Sequence, residues 1–459
     1  MNTFLNSRIS QICTAFAEKK VTSLELCSLC LGRVKKTKEL NAFVTIDELS
    51  VENEAKQSDI RRQSGSAKSI VDGVPIAVKD NFCTAGIRTT CASKMLLNYV
   101  PPYNATVVER VFNESGAILL GKTNMDEFAM GAGSVDSVFG PVRNPWKLSK
   151  TKDDFYICGG SSGGSAVAVA TGCSFAAIAS DTGGSTRNPA ARVGVVGFKP
   201  TYGIASRYGL IPLTHSMDVP GILTRFVEDA ATVFKLFAGV DSMDSTTVNQ
   251  SFDKNMCEID MTEITVGIPK EYDCDGLSAE VRELWKKVAD ELSNAGAKVV
   301  DVSMPHTRYS ISCYTVLNAC EVASNFSCYD GVEFGHRAKN CETSTEEMFA
   351  TSRFEGLSDV VKGRILAGNF FLLRDNYDMY YNQALKVRRL IANDFENVFS
   401  KNIDFLITPV TLTEAPLYSQ WIKKDNREQV ATEDFCTQPV NMSGVPAVSI
   451  PCKLSENGL

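Results

Sequence analysis

The amino-acid sequence predicts an α/β fold in which a large, mixed and twisted β-sheet is flanked by helices. Between about residues 41 and 239, short apolar and β-branched runs alternate with helical stretches, which is typical of that fold class. The 459 residues are 44% hydrophobic and 22% charged, so the chain has a globular composition and is long enough to bury a sizeable core. No repeat or low-complexity linker divides the sequence. We therefore predict one domain that covers residues 1–459.

Two amphipathic helices are predicted within about the first 40 residues. The first covers SRISQICTAFAEK, and the second, LELCSLCLGRVKK, follows Thr22 and Ser23, which are residue types favoured at helix N-caps. Strands are then expected from the runs AFVTI, PIAVK, AILLG, FAAIA and VGFKP. The helices predicted among them are ATVVERVFNES, SAVAVATG and VEDAATVFKLFAG.

The second half of the chain is predicted to combine a strand–helix–strand unit with a mostly helical insertion. It opens with a strand–helix–strand unit, in which TVGIP and KVVDVS flank a helix over LSAEVRELWKKVADELSNAG. Residues from about 309 to 400 form a helical insertion. Two late runs, DFLITP and PAVSIP, are expected to bring the chain back to the large sheet.

Charge, hydropathy and cysteine content exclude several classes of protein. The net charge is −7 and no basic block is long enough for a nucleic-acid patch, so we expect a partner to hold any RNA. The longest apolar runs are too short to cross a membrane. The 15 cysteines are scattered, often within apolar runs, as reduced core thiols are. Cys27 and Cys30 form a C-x-x-C without a second pair at zinc-site spacing, so we expect packed thiols and no metal site.

Two glycine-flanked serine segments carry the strongest chemical signal. GGSSGGS and DTGGS are separated by a small-residue helix and an apolar strand, which brings Ser161 and Ser185 close together. Upstream, Lys79 follows the apolar run VPIAV, where burial lowers the pKa of an amine toward neutrality. The chain has only three histidines, His215, His306 and His336, so a Ser-His-Asp triad is hard to build. Two serines and a lysine as nucleophile, relay and base predict acyl transfer.

The glycines of DTGGS meet a second requirement of acyl transfer. Because they carry no side chain, backbone N–H groups can converge there on a carbonyl oxygen and form an oxyanion hole. The serine that ends the segment, Ser185, is then the nucleophile. Taken singly, the same five residues would indicate only a tight turn.

Two phosphate-binding patterns are the weaker alternatives. Residues 116–123, GAILLGKT, satisfy G-x-x-x-x-G-K-[ST], but the residues between the glycines have the character of a buried strand, whose N–H groups bond to neighbouring strands. GGSSGGS precedes a helix and could also cradle a phosphate. The second Gly-Gly-Ser segment and the upstream lysine favour acyl transfer instead.

Together these segments resemble the amidase signature family, whose Ser–cis-Ser–Lys triad lies on such motifs. The resemblance implies the amidase signature fold, a large mixed sheet between helices. It also implies that Ser185 is the acyl-ester nucleophile, Ser161 the relay held by a cis peptide, and Lys79 the base.

Longer motifs, among them GKTNMDEFAMG and GFKPTYGIASRYGLIPL, resemble one branch of the family, the A-type subunits of glutamyl-tRNA(Gln) amidotransferases. SKTKDDFYIC, STRNPA and SMDVPGILTR resemble its mitochondrial members, which implies the matrix; a bacterial member would be cytoplasmic. The branch implies a glutaminase without a cofactor of its own. Its ammonia would pass to a B-type subunit, which uses ATP and Mg on Glu-tRNA(Gln) and binds most of the tRNA. A small C-type subunit would be a further partner.

The resemblance also implies which residues bind the substrate. The backbone N–H groups around Thr182, Gly183 and Gly184 would form the oxyanion hole. Arg364 would bind the α-carboxylate of free glutamine and Asp434 its α-ammonium group, an arrangement that suits a zwitterion.

The sequence departs from the family at three places. Gly363 stands where a second basic residue is usual, and Cys328 replaces an arginine near the site. The chain ends at LSENGL where relatives continue through a strand and a helix, so the sheet edge, the stability and the docking of a partner are expected to be affected, whereas no triad residue lies in that segment.

Two other functions stay open at this point. A stand-alone amidase would act on another carboxamide without any partner and would be indifferent to loss of Arg364. A non-catalytic scaffold subunit would leave Ser185 unmodified by an amide-directed or fluorophosphonate probe.

Overall fold

The computed structural model describes residues 4–146, 154–249, 259–339 and 344–459. Residues 149–153, the first half of the SKTKDDFYIC segment, lie outside the described residues. Within the described ranges the strands are β1 (Phe43–Thr45), β2 (Pro75–Lys79), β3 (Ile118–Thr123), β4 (Ala176–Asp181), β5 (Val196–Lys199), β6 (Val219–Thr224), β7 (Thr265–Pro269), β8 (Lys298–Val302), β9 (Phe405–Leu406) and β10 (Ala447–Ser449).

Helices form a large share of the remaining described chain. The α-helices are α1 (Ile9–Ala17), α2 (Ser23–Lys36), α3 (Glu48–Gln63), α4 (Thr106–Val108), α5 (Gly163–Ala170), α6 (Arg187–Val193), α7 (Val227–Phe237), α8 (Ala279–Asn294), α9 (Ser310–Asn325), α10 (Thr345–Gly356), α11 (Asp359–Leu372), α12 (Tyr381–Phe399), α13 (Tyr418–Trp421), α14 (Asn426–Glu433) and α15 (Gln438–Ser443). A π-helical segment, Glu109–Glu114, continues α4.

The large mixed sheet predicted from the sequence is present, with strand order β1-β3-β2-β4-β6-β5-β10. Its centre is parallel, because β2 pairs in parallel with both β3 and β4, and the outer pairs are antiparallel. The carboxyl ends of the three central strands therefore meet at one edge of the sheet, where α/β proteins commonly bind ligands. Lys79, Thr123 and Asp181 are the last residues of those strands.

A second, smaller sheet has the order β8-β7-β9 and is parallel throughout. The predicted strand–helix–strand unit forms β7, α8 and β8. The expectation that DFLITP returns to the large sheet is wrong, because β9 pairs with β7. Gly267 of β7 allows this approach, since a Cβ there would lie 2.6 Å from Leu406. PAVSIP does return to the large sheet, where β10 pairs with β5.

The sequence interpretations of the first helices and of GAILLGKT are confirmed. Thr22 caps α2, because its Oγ1 accepts a hydrogen bond from the backbone N–H of Glu25 at 3.1 Å. Cys27 and Cys30 are both buried in α2, and burial raises the pKa of Cys27 to about 12. Residues 118–123 form β3, which pairs with β2, so this segment is a strand of the sheet and not a phosphate-binding loop.

Helices cover both faces of the large sheet. On one face α1, α2, α3 and α7 pack in a common apolar core with β2, β3 and β4. On the other face the small residues of α5 and α6 pack closely on β4 and β6. The predicted helical insertion, with α9, α11 and α12, packs beside the carboxyl edge of the central strands. None of the helices in the described parts of the chain is long and apolar enough to cross a membrane.

Candidate active site

Lys79 lies fully buried at the end of β2, where its amine contacts two serine hydroxyls. Nζ donates to Oγ of Ser161 at 2.8 Å and to Oγ of Ser180 at 3.0 Å. The side chains of Lys79 and Ser161 are both 0% exposed, and the Gly160–Ser161 peptide is cis. The predicted base and the predicted relay are therefore in direct contact and shielded from bulk water.

The environment of Lys79 suits a general base. Burial lowers the pKa of its amine to about 7 from the usual 10.5, although the carboxylates of Asp126, Asp181 and Asp218 act in the opposite direction. An amine with this pKa is neutral in about half of the molecules near pH 7, and only the neutral form can accept a proton.

The register of the central strands explains why Lys79 and Ser180 meet. In the parallel pair of β2 and β4, Val78 lies opposite Ile178, so the residues that follow share the same edge. No sequence pattern pointed to Ser180, although it directly precedes DTGGS. Nδ2 of Asn81 also donates to the Ser180 hydroxyl, at 2.9 Å, and holds it beside the amine.

Ser185 lies in the turn between β4 and α6, with only 6% of its surface exposed. The backbone N–H of Ser162 donates to its carbonyl oxygen at 3.2 Å, so the two serine segments are in contact. Within the described residues, the Ser185 hydroxyl makes no hydrogen bond, and neither does the N–H of Gly183 or Gly184. The turn thus presents a free hydroxyl beside free N–H groups, which is the arrangement that an oxyanion hole requires.

Buried charges hold this turn in place. Arg187 binds Asp181 through Nε at 3.0 Å and Nη2 at 2.9 Å, and it donates from Nη1 to the carbonyl of Thr437 at 3.0 Å. Burial alone would raise the pKa of Asp181, but the Arg187 guanidinium holds this pKa well below its usual range. Gly184 has φ +144°, and a Cβ there would lie 2.3 Å from Oγ1 of Thr437. Only glycine fits at this position.

The first predicted oxyanion residue, Thr182, is anchored by its side chain. Its hydroxyl donates to Oδ1 of Asp218 at 2.6 Å. Burial raises the pKa of Asp218 to about 6, while hydrogen bonds from Thr182 and from two backbone N–H groups oppose that rise. The buried Asp126 likewise accepts three backbone N–H groups, from Ser134, Val135 and Asp136. Neither aspartate lies in a segment with a recognisable catalytic pattern, so no role was predicted for them from the sequence.

Arg364 and Asp434, the two predicted substrate-binding residues, lie around the buried Tyr314 of α9. Burial raises the pKa of Tyr314 to about 12; Arg364 opposes this rise and Asp434 adds to it. Arg364 donates from Nη1 to Oδ1 of Asn318 at 2.9 Å and from Nη2 to Oδ1 of Asn426 at 3.2 Å. Burial also raises the pKa of Asp434, and Arg364 acts against that rise. Arg364 and Asp434 thus both lie near Tyr314, and the described residues show no direct ion pair between them.

A second buried ion pair links this region to the nucleophile turn. Arg192 of α6 binds Glu433, with an Nη2–Oε2 distance of 2.6 Å and both side chains almost fully buried. Asn188 of the same helix donates to Oε2 of Glu433 at 3.0 Å. Because α6 begins two residues after Ser185 and Glu433 precedes Asp434, this pair fixes the two parts of the site to each other.

Other residues noted in the sequence lie outside this cluster. His306 binds Asp394 at 2.9 Å and His336 binds Glu355 at 2.8 Å, both in partly exposed pairs. The departures Gly363 and Cys328 are exposed. Across the described ranges, no three His, Cys, Asp or Glu side chains converge as a metal site would require.

Comparison with known proteins connects this geometry to one family. The family model described as Amidase matches residues 25–459. The A-type subunit of the mitochondrial glutamyl-tRNA(Gln) amidotransferase of Ixodes scapularis is 56% identical over 99% of this chain and 91% of its own length. The protein of the same name from Homo sapiens is 53% identical over 99% of this chain and 89% of its own length.

Solved structures with the same fold include enzymes of different specificity. The A-type subunit of glutamyl-tRNA(Gln) amidotransferase from Thermotoga maritima has a TM-score of 0.79 and 34% identity, covering 99% of this chain and 89% of that one. The peptide amidase from Stenotrophomonas maltophilia has a TM-score of 0.78 and 25% identity, covering 98% of this chain and 91% of that one.

Proposed function

The chain belongs to the amidase family, and from this premise we propose that it is the glutamine-hydrolysing subunit of a tRNA-dependent amidotransferase. The observation that carries the proposal is the buried hydrogen bond between Lys79 and Ser161, next to a turn with free N–H groups. The choice of glutamine is supported by the identity above 50% to relatives named for glutamyl-tRNA(Gln) amidotransferase, and by Arg364 and Asp434, whose opposite charges both act on the pKa of Tyr314.

The first half of the reaction forms an acyl-enzyme. Ser185 Oγ attacks the carboxamide carbon of glutamine while its proton passes to Ser161 Oγ, whose own proton passes to the neutral Nζ of Lys79. The N–H groups of Gly183 and Gly184 bind the oxyanion. When the C–N bond breaks, the proton returns from Lys79 through Ser161 to the leaving nitrogen. Ammonia departs, and a glutamyl ester remains on Ser185.

The second half of the reaction hydrolyses the ester. A water molecule attacks the ester carbonyl and gives its proton to Lys79 through Ser161. The ester C–O bond then breaks, and the proton returns to Ser185 Oγ, which restores the free enzyme and releases glutamate. Arg364 and Asp434 hold the charged end of glutamine throughout, so that only its carboxamide reaches Ser185.

The ammonia is used elsewhere in the assembly. We propose that a B-type partner takes it up and, with ATP and Mg, converts Glu-tRNA(Gln) to Gln-tRNA(Gln), and that a small C-type partner completes the complex. The net charge of −7 supports RNA binding mainly by the partner. The mitochondrial designation of the relatives supports the mitochondrion as the compartment.

The decisive experiment compares Ser185→Ala with Ser64→Ala, an exposed serine at the end of α3, in the complex purified from cells. We expect Ser185→Ala to abolish glutamine hydrolysis and glutamine-dependent amidation, while assembly and amidation from added ammonia persist. Ser64→Ala should behave as wild type. Retained glutamine-dependent amidation by Ser185→Ala would refute the proposal. Efficient hydrolysis of hydrophobic amides without any partner would favour a stand-alone amidase instead.

A further inference from the structure

Asn318 lies on the face of α9 that packs against α11, beside Arg364, and only 2% of its surface is exposed. Its Oδ1 accepts the hydrogen bond from Nη1 of Arg364 at 2.9 Å. Since a guanidinium has only donors, this contact fixes which end of the amide faces Arg364. The other end, Nδ2, is buried and has no hydrogen-bond partner among the residues described.

An unpaired N–H in the interior is unfavourable, so its retention needs a reason. Orientation of Arg364 requires only an acceptor. Asn426 supplies such an acceptor to Nη2 of the same guanidinium, and its own Nδ2 donates to the carbonyl of Met130 at 3.4 Å. Of these two asparagines, only Asn318 has an Nδ2 that makes no hydrogen bond among the described residues.

The position of this N–H relates it to the predicted substrate-binding residues Arg364 and Asp434. Tyr314 lies one turn before Asn318 on α9. It is the residue whose pKa is affected by both Arg364 and Asp434. A carboxylate bound to Arg364 has two oxygens with about four acceptor sites. One edge of a guanidinium occupies only some of these sites, so others are left for a further donor. The N–H beside that guanidinium is therefore within the same binding region.

We propose that Asn318 is a further substrate-binding residue, whose Nδ2 donates to the α-carboxylate that Arg364 binds. The proposal rests on the proposed glutaminase function. It adds a second donor to the carboxylate and makes the pocket selective for amides that carry one. The unpaired N–H of the free protein acquires its acceptor when glutamine enters.

The test uses two variants and two substrates in the intact complex. Asn318→Ala removes donor and acceptor, whereas Asn318→Asp keeps an acceptor for Arg364 but replaces the donor by a negative charge. Glutamine is compared with 4-aminobutanamide, which has the same carboxamide and amine but no carboxylate. Asn325→Ala is the matched control, because Asn325 is on the same helix and its Nδ2 donates to the carbonyl of Leu213 at 3.0 Å.

We expect Asn318→Ala to raise KM for glutamine about tenfold and Asn318→Asp to raise it more, with kcat within about threefold of wild type. Neither variant should change kcat/KM for 4-aminobutanamide, and Asn325→Ala should match wild type with both substrates. Wild-type KM in Asn318→Asp would show that the residue only orients Arg364 and would overturn the proposal. Equal losses with both substrates would indicate a structural role and would overturn it too. If the wild-type complex hydrolyses no glutamine, the proposed function itself fails.

Discussion

The buried amine of Lys79 leads to a quantitative prediction for the pH dependence of glutamine hydrolysis. The base must be neutral to accept a proton, and burial lowers its pKa to about 7. About 9% of the amines are then neutral at pH 6, about half at pH 7 and about 91% at pH 8. An unperturbed lysine, with a pKa of 10.5, would be neutral in only about 0.03% of molecules at pH 7.

We therefore expect kcat/KM to rise about tenfold per pH unit below pH 6 and to level off above pH 8. The assay measures glutamate release by the assembled complex between pH 5.5 and 9.5, with thermal unfolding recorded at each pH to exclude loss of folded protein. Lys79→Arg is the companion variant and should be inactive throughout, because a guanidinium stays charged over this range. A rate that keeps rising tenfold per unit through pH 9, or near-normal turnover by Lys79→Arg, would refute the reasoning.

Three further predictions follow from groups around the triad. Asp126→Asn should move the midpoint of the same pH profile to lower pH, because the Asp126 carboxylate raises the pKa of Lys79; since burial raises the pKa of Asp126 itself to about 7, the effect should be larger above pH 7 than below it, and an unmoved profile contradicts this. Gly184→Ala should reduce kcat more than about 100-fold in folded protein, since a Cβ has no room there and the oxyanion turn must shift; kinetics of a variant with a native circular-dichroism spectrum test this. Glu433→Ala should lower the free energy of unfolding in urea by about 3–5 kcal/mol, because it leaves Arg192 buried and unpaired, and adding Arg192→Met should restore part of it.

Local patterns predicted the central strands and helices well. β2 has the bounds of the run PIAVK, and the cap at Thr22 begins α2 as expected. β6 was not predicted, because Pro220 and Gly221 disfavour a strand on propensity alone, and pairing with β4 and β5 overrides that preference. α3 was not predicted either, because it is a largely polar helix and only three of its residues are buried.

The site could be predicted only where its residues share a motif. Lys79, Ser161 and Ser185 lie on segments with recognisable glycine or apolar patterns, and the structure places the first two in contact. Ser180 and Asn318 carry no such pattern. Their significance depends on strand register and on helix packing, which bring together residues far apart in the sequence.

The clamp between α6 and Glu433 has a consequence for biosynthesis. Asn188 and Glu433 are 245 positions apart, so this contact can form only after most of the chain has left the ribosome. A nascent chain can assemble the lysine–serine contact early, but it has neither Asp434 nor the clamp that fixes its position. The site with Asp434 in place can therefore form only after residues 433 and 434 have been synthesised.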